Sequence, residues 1–264
     1  MSAAARQGMD VAYVGHLGTG IFADIAREAL RGESIDVAIR TPEARDLGFC
    51  IVLVDREGER TFITSPGAEG ALTALDLATA VMEDGDYASL SRYNFVYPEI
   101  REEMMKWLDQ LSDGVLLCFD PGPRVRDIPE STLREVLART DWLLCNLSEA
   151  SSLTGETLAT RCAERFLTMS GRRGVVVRTG AKGCVGARRG EKLVGVAEVK
   201  AQVVDTNGAG DVHNGVFLAE TARGTSFVEA LQRANVAASI AIGRFGPATC
   251  PARGAVTQKL AMAI

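Results

Sequence analysis

Short apolar runs alternate with helix-period segments along most of this 264-residue chain. Val11 to Gly15, Val115 to Phe119, Trp142 to Cys145 and Val175 to Arg178 are brief, nearly continuous apolar stretches, as expected of strands buried on both faces. Around them, Ile21 to Leu30, Glu99 to Leu111, Glu130 to Arg139 and Phe227 to about Gly243 carry apolar residues at helical spacing. The last of these opens on Ser226 and Glu229, three apart, the signature of a capping box. A further strand is expected over Ala201 to Val204, with an amphipathic helix beginning in the segment after it and running to about Arg223. Strands alternating with helices predict an α/β fold: three layers, a mostly parallel sheet and helices on both faces. One segment departs from this rhythm. Gly48 to Asp55 and Glu59 to Ser65 flank Arg56-Glu57-Gly58 and predict a β-hairpin. The expected organisation is a single domain over 1–264 with a small β flap at 45–68. That hairpin is either a flap or subunit contact, or a plain edge hairpin.

Composition narrows the function classes. Apolar residues make up 47% and charged residues 24%, as in ordinary soluble enzymes, and the net charge of −5 argues against a nucleic-acid-binding surface. The six cysteines form no C-x-x-C pair, and Cys50, Cys118 and Cys145 fall in apolar runs where Cys acts as a small hydrophobe. A reduced, cytoplasmic protein is expected. No signal peptide and no membrane span is predicted.

The most informative stretch is Asp205-Thr206-Asn207-Gly208-Ala209-Gly210-Asp211. Gly208 and Gly210 allow a tight turn into a helix whose first N–H groups favour an anion. Asp211 therefore stands among groups that bind negative charge. A carboxylate there makes sense as a proton acceptor beside a phosphate in transfer, while a helix N-cap is the plainer alternative. No Gly-x-x-x-x-Gly-Lys-[Ser/Thr] and no Gly-x-Gly-x-x-Gly occurs.

That run resembles the Asp-Thr-x-Gly-Ala-Gly-Asp signature of the ribokinase-like (PfkB) carbohydrate kinases, and the resemblance extends in order from about Ala3 to Ala255. Asp120-Pro121-Gly122-Pro123-Arg124 resembles the family's Asp-Pro-x-x-Arg, and Asn146-Leu147-Ser148-Glu149 its Asn-x-x-Glu. Thr179-Gly180-Ala181-Lys182-Gly183 is similar to its nucleotide loop with one residue deleted, and Asn235 falls where the family places a residue near the adenine. The resemblance implies ATP-dependent phosphorylation of a sugar hydroxyl. Asp211 would be the base, with Gly208, Ala209 and Gly210 forming the anion hole. Thr179, Gly180, Gly183, Asn235 and Asn146 would hold nucleotide, and Glu149 with Asn146 would hold Mg²⁺ through water. Arg124 would reach a phosphorylated acceptor. K⁺ would bind near Asp205, Asn207, Ala241, Arg244 and Gly246, unless Arg244 replaces it by pairing with Asp205. A homodimer through the flap is expected. Taken singly, these residues also read as structure: Asn146 and Glu149 as a helix cap with its first-turn acid, Thr179-Gly180 as a turn, Asp120-Pro121 as a strand stop. His213 stands where most members carry Phe and is expected to pack; His16 is given no role.

The amino-terminal part differs from the family. Ser2 to Gly8 resembles the second half of a helix that in the family opens on Gly-Gly-x-x-x-Asn. The preceding strand, part of the flap and that motif have no counterpart here. A misassigned start, a degenerate remnant and a changed function compete as explanations, and the intact nucleotide half speaks for the first. The second function class is therefore a nucleotide-binding protein without kinase activity.

Overall fold

A computed structural model describes residues 1–39, 43–54, 60–123, 125–169 and 172–263. In chain order the strands are β1 (Ala12–Tyr13), β2 (Asp36–Val37), β3 (Phe49–Val54), β4 (Arg60–Ser65), β5 (Tyr87–Ser91), β6 (Leu116–Asp120), β7 (Trp142–Asn146), β8 (Gly174–Arg178), β9 (Cys184–Arg188) and β10 (Val194–Val196). The helices are α1 (Ser2–Arg6), α2 (Ile21–Gly32), α3 (Ala74–Ala78), α4 (Tyr93–Val96), α5 (Pro98–Gln110), α6 (Glu130–Arg139), α7 (Leu147–Thr154), α8 (Ala159–Met169), α9 (Ala209–Ala222), α10 (Phe227–Ala241) and α11 (Arg253–Ala263). They group into two compact units. The larger comprises Met1–Asp10, Met82–Val96 and Ser112–Ile264; the smaller comprises Val11–Val81 and Tyr97–Leu111.

The larger unit is built on a six-stranded sheet of order β10-β9-β8-β7-β6-β5. β5 to β8 run parallel, whereas β8, β9 and β10 are antiparallel. The short turn between β8 and β9 leaves room only for a reversal of direction. Register places Cys118 opposite Trp142 and Leu144 opposite Val176. These four share one face and pack against Val212, Val216 and Phe217 of α9 and Leu231 of α10. Trp142 meets Phe217 edge-on at 5.1 Å. The alternate residues Leu117, Leu143, Cys145, Val175 and Val177 are equally buried, on the face that α7 and α8 cover. Burial of each such side chain contributes roughly 1.5–3 kcal/mol, so a strand covered on both faces is selected to be apolar throughout. α1 lies close against α9 because Gly215 has no side chain: a Cβ there would stand 2.7 Å from the Cβ of Ala3.

In the smaller unit β1 and β2 form a two-residue parallel ladder, and β3 pairs antiparallel with β4, Phe49 opposite Ser65 and Ile51 opposite Ile63. The predicted hairpin is therefore present, its turn at 55–59 lying outside the described residues. Ile51, Val52, Leu53 and Ile63 are exposed.

Four expectations are corrected. Ala201 to Val204 is not a strand; Val204 N–H donates to the carbonyl of Ile242 at the end of α10, and among the described residues the segment joins no ladder. The first strand shrinks from Val11–Gly15 to Ala12–Tyr13, because its ladder with β2 is only two residues long. The Ser226 capping box is half formed: Ser226 Oγ accepts from Glu229 N–H, but the Glu229 carboxylate turns to Arg233 Nε at 2.9 Å. Cys50 is exposed on the hairpin rather than buried like Cys118 and Cys145.

Candidate active site

β6, β7 and β8 end on Asp120, Asn146 and Arg178. Each is separated by an even number of residues from the buried side chains that face α9, so all three project to the side of the sheet on which α9 packs. Asn146 and Arg178 are register partners. Period-two alternation thus delivers one acid, one amide and one base to the carboxyl end of the sheet, where open α/β sheets bind ligands.

Arg178 ties this cluster together. Its Nη1 donates to Asn214 Oδ1 from the second turn of α9. Its Nη2 lies 3.6 Å from Asp120 Oδ2 and 3.8 Å from Glu149 Oε2. Asn214 Nδ2 donates to Asp120 Oδ2 at 2.7 Å, and Gly122 N–H donates to Asp120 Oδ1 at 2.9 Å. The guanidinium also lies against the first turn of α9, since a Cβ on Gly210 would be 3.3 Å from its Nη2.

α9 starts from Gly208, which is in the left-handed region at φ 74° and presses against the Pro247 carbonyl, so no side chain fits there. The first i→i−4 bond runs from Val212 N–H to Gly208 O, which leaves the N–H groups of Gly210 and Asp211 outside the helical ladder. Asp205 anchors the approach: its carboxylate accepts from Asn207 N–H at 2.9 Å and Gly246 N–H at 3.1 Å. The carbonyl of Ala241 accepts from Arg244 N–H and from Thr249 Oγ1.

Charge shapes the acids. Asp211 has its pKa raised by desolvation and then by Asp120, with Arg178 opposing. Glu149 is raised by burial, countered first by its hydrogen bond from Asn146 N–H. Both shifts bring the carboxyls toward the range useful for proton exchange.

Of the other predicted site residues, Asn146 and Glu149 form a full capping box on α7, Asn146 N–H to Glu149 Oε2 at 2.8 Å and Glu149 N–H to Asn146 Oδ1 at 2.9 Å. The pair is a structural cap and a wall of the charged cluster at once. Thr179 to Gly183 is the β8–β9 turn, closed by Thr179 N–H and Oγ1 on the Gly183 carbonyl. Asn235 is buried, donating to the Val196 and Ala197 carbonyls and bonding His213 Nε2 at 3.1 Å. His213 is held neutral, its pKa pushed down to about 3 by burial and then by Arg178. Arg124 lies outside the described residues. Sequence reasoning missed Arg178 and Asn214 as site residues and gave Asp120 no role. The available signal was a charged residue closing each of two buried strands, in phase with the α9 face.

Among the described residues no group of three or more His, Cys, Asp or Glu is arranged to hold a metal. Two carboxylates with all-oxygen donors do fit Mg²⁺, which keeps most of its waters and takes one or two protein ligands beside phosphates. In the smaller unit a cavity of about 780 Å³ is lined by Leu17, Thr19, Arg27, Arg31 and Glu43, among others. Arg27 there is engaged by Asp24 and the Gly18 carbonyl.

Residues 1–253 match the pfkB family of carbohydrate kinases, and the chain belongs to that family. It is an ATP-dependent sugar kinase. It is 31% identical to an uncharacterized sugar kinase, YegV, of Escherichia coli K12, over 94% of this chain and 77% of that protein. A ribokinase of Arabidopsis thaliana, solved with ribose and ATP, superimposes with a TM-score of 0.79 at 25% identity, covering 98% of this chain and 84% of that one. A putative ribokinase II from E. coli, solved with ATP and Mg²⁺, shares the fold at a TM-score of 0.84 and 23% identity, over 100% and 86% of the two chains. The mostly parallel sheet with helices on both faces is thus the ribokinase-like architecture.

Proposed function

We propose that phosphoryl transfer takes place at the carboxyl end of β6 to β8, with Asp211 accepting the proton of the sugar hydroxyl. The observation that carries this reading is the meeting of Asp120, Glu149, Asp211 and Arg178 at the start of α9. N–H groups of Gly210 and Asp211, presented by the Gly208–Ala209 turn, stabilise charge on the phosphate, and Arg178 adds a fixed positive charge beside them. Asn214 orients Arg178 and Asp120 together. Thr179, Gly180, Gly183, Asn146 and Asn235 border or support the nucleotide. Asp120 and Glu149 would hold Mg²⁺ through its waters; the ion supplies charge neutralisation for the phosphates. Asp211, a partly desolvated carboxyl in the first turn of α9 beside unpaired N–H groups, favours this kinase reading over nucleotide binding alone. Sugar-dependent ADP formation that vanishes in Asp211→Asn while ATP still binds supports the assignment; unchanged turnover contradicts it.

Three finer points accompany this reading. K⁺ binds where Asp205, Asn207, Ala241, Arg244 and Gly246 bring the segments before α9 and after α10 together, a place already organised by the Asp205 carboxylate. The exposed apolar side chains of β3 and β4 form a homodimer contact. The protein works in the cytoplasm, its cysteines not joined in disulfides; no helix among the described residues is long and apolar enough to cross a membrane.

A further inference from the structure

Arg92 follows β5, whose last residue, Ser91, is the register partner of Asp120. Its backbone N–H donates to the Asp120 carbonyl at 3.1 Å, which fixes the residue to the end of β6. The side chain is 9% exposed, and its stem is pressed against Gly122, where a Cβ would stand 3.2 Å from Cδ. The guanidinium carbon lies 4.3 Å from the centre of the Tyr93 ring. Arg92 Nε is buried without a hydrogen-bond partner, and among the described residues no carboxylate pairs with this guanidinium. A cation held rigidly by stem packing and an aromatic face, yet lacking an anion, is a costly arrangement unless a ligand completes it. The other arginine at this end of the sheet, Arg178, has its partners inside the protein.

Resting on the kinase reading above, we infer that Arg92 binds an oxyanion on the phosphoryl acceptor, so that the preferred substrate is a sugar acid or a sugar phosphate rather than a neutral sugar. Arg92 is at the β5 end of the sheet and Arg178 at the β8 end, three strand spacings or about 14 Å between backbones. The start of α9 and the β8–β9 turn, which serve the nucleotide, are at the β8 side. Arg92 therefore lies across Asp120 from them, on the side left for the acceptor. Its planar fork suits bidentate binding of carboxylate or phosphate. Lysine in its place would keep the charge but lose the fork.

The test compares the 264-residue protein with Arg92→Gln and Arg92→Lys, using gluconate against glucose, ribose 5-phosphate against ribose, and ATP. ADP formation and calorimetric binding are both read. The expected result is that at least one anionic acceptor is preferred over its neutral counterpart. Arg92→Gln should then lower kcat/KM on it about 30-fold, mainly through KM, with a matching loss in calorimetric affinity. Arg92→Lys should recover part of the loss, and KM for ATP should stay within about twofold. The carboxylate and phosphate pairs identify which oxyanion is bound. Preference for neutral acceptors, an equal loss on neutral and anionic acceptors, or a loss confined to ATP overturns the inference. If Arg92→Gln does not fold, Arg92→Lys decides by the same ratio of anionic to neutral acceptor. A parent protein that binds an anionic acceptor through Arg92 but forms no ADP contradicts the kinase reading and leaves this one standing; an active parent indifferent to acceptor charge does the reverse.

Discussion

At the amino ends of β7 and β8, the buried carboxylate of Asp141 sits among Arg139, Arg172 and Arg173; at the carboxyl ends of the same strands, Asp120, Glu149 and Asp211 surround Arg178. Both clusters are arginine–carboxylate networks within one unit, on one sheet. They differ in completion. Asp141 Oδ2 accepts from Leu117 N–H at 2.9 Å and Arg139 at 3.1 Å, and Arg139 also donates to the Ser112 and Val115 carbonyls. Those contacts join β6 to β7 and leave little for a ligand. At the other end Asp120, Glu149 and Asp211 share Arg178, and burial, with the neighbouring Asp120 charge behind it, raises the pKa values of Glu149 and Asp211. A network that satisfies itself stabilises the fold; one whose charges are left partly unpaired is open to a divalent cation and a substrate.

The largest expected effect separates the two ends by stability. Asp141→Ala removes the acid from three arginines and should cost about 3 kcal/mol in urea unfolding, with kcat per folded molecule unchanged. Arg178→Met should do the opposite, lowering kcat about 100-fold with a smaller stability change, as loss of a charge-stabilising donor does. Mn²⁺ titration without nucleotide sharpens the contrast: removing Arg178, which shares the carboxylates, should tighten Mn²⁺ binding, while Asp141→Ala should leave it alone.

A smaller effect concerns His213. Its folded pKa of about 3 lies below the ordinary 6.5, so the unfolded chain takes up a proton that the folded one refuses. The stabilisation from the neutral ring is complete above about pH 6.5 and is lost as pH falls toward 3, by up to about 1.4 kcal/mol per pH unit. Urea unfolding at pH 7.5 and pH 5 should show this loss in the parent and not in His213→Phe. Smallest of all is the cation effect. ATP affinity should be higher in K⁺ than in Na⁺ or tetramethylammonium at fixed ionic strength, and equality among the three removes K⁺ from the Asp205 region.

The contrast also explains what the sequence made visible. Apolar strands β6, β7 and β8 and helices α2, α5, α6 and α10 were legible because burial on two faces, or on one stripe, imposes a period. β5, β9 and β10 were not singled out, since Tyr87-Ala88-Ser89-Leu90-Ser91 and Cys184-Val185-Gly186-Ala187-Arg188 mix small and polar residues at the margins of the sheet. Gly208 and Asp211 stood out because a glycine turn before a helix is a local signal. Arg178, Asn214 and Arg92 did not, because their meaning comes from strand register and from which partner is missing, and neither is local in sequence.

The central claim is that the incomplete end of the sheet transfers phosphate through Asp211. Single-turnover ADP formation by Asp211→Asn against the parent, with the best acceptor of a sugar, sugar-acid and sugar-phosphate panel, tests it most directly. The account predicts a fall of about 1,000-fold, ATP affinity retained, and loss of the acid limb of the rate profile, which in the parent lies above the ordinary Asp value because Asp211 is raised. Turnover within a few-fold of the parent, with the acid limb intact, would contradict it.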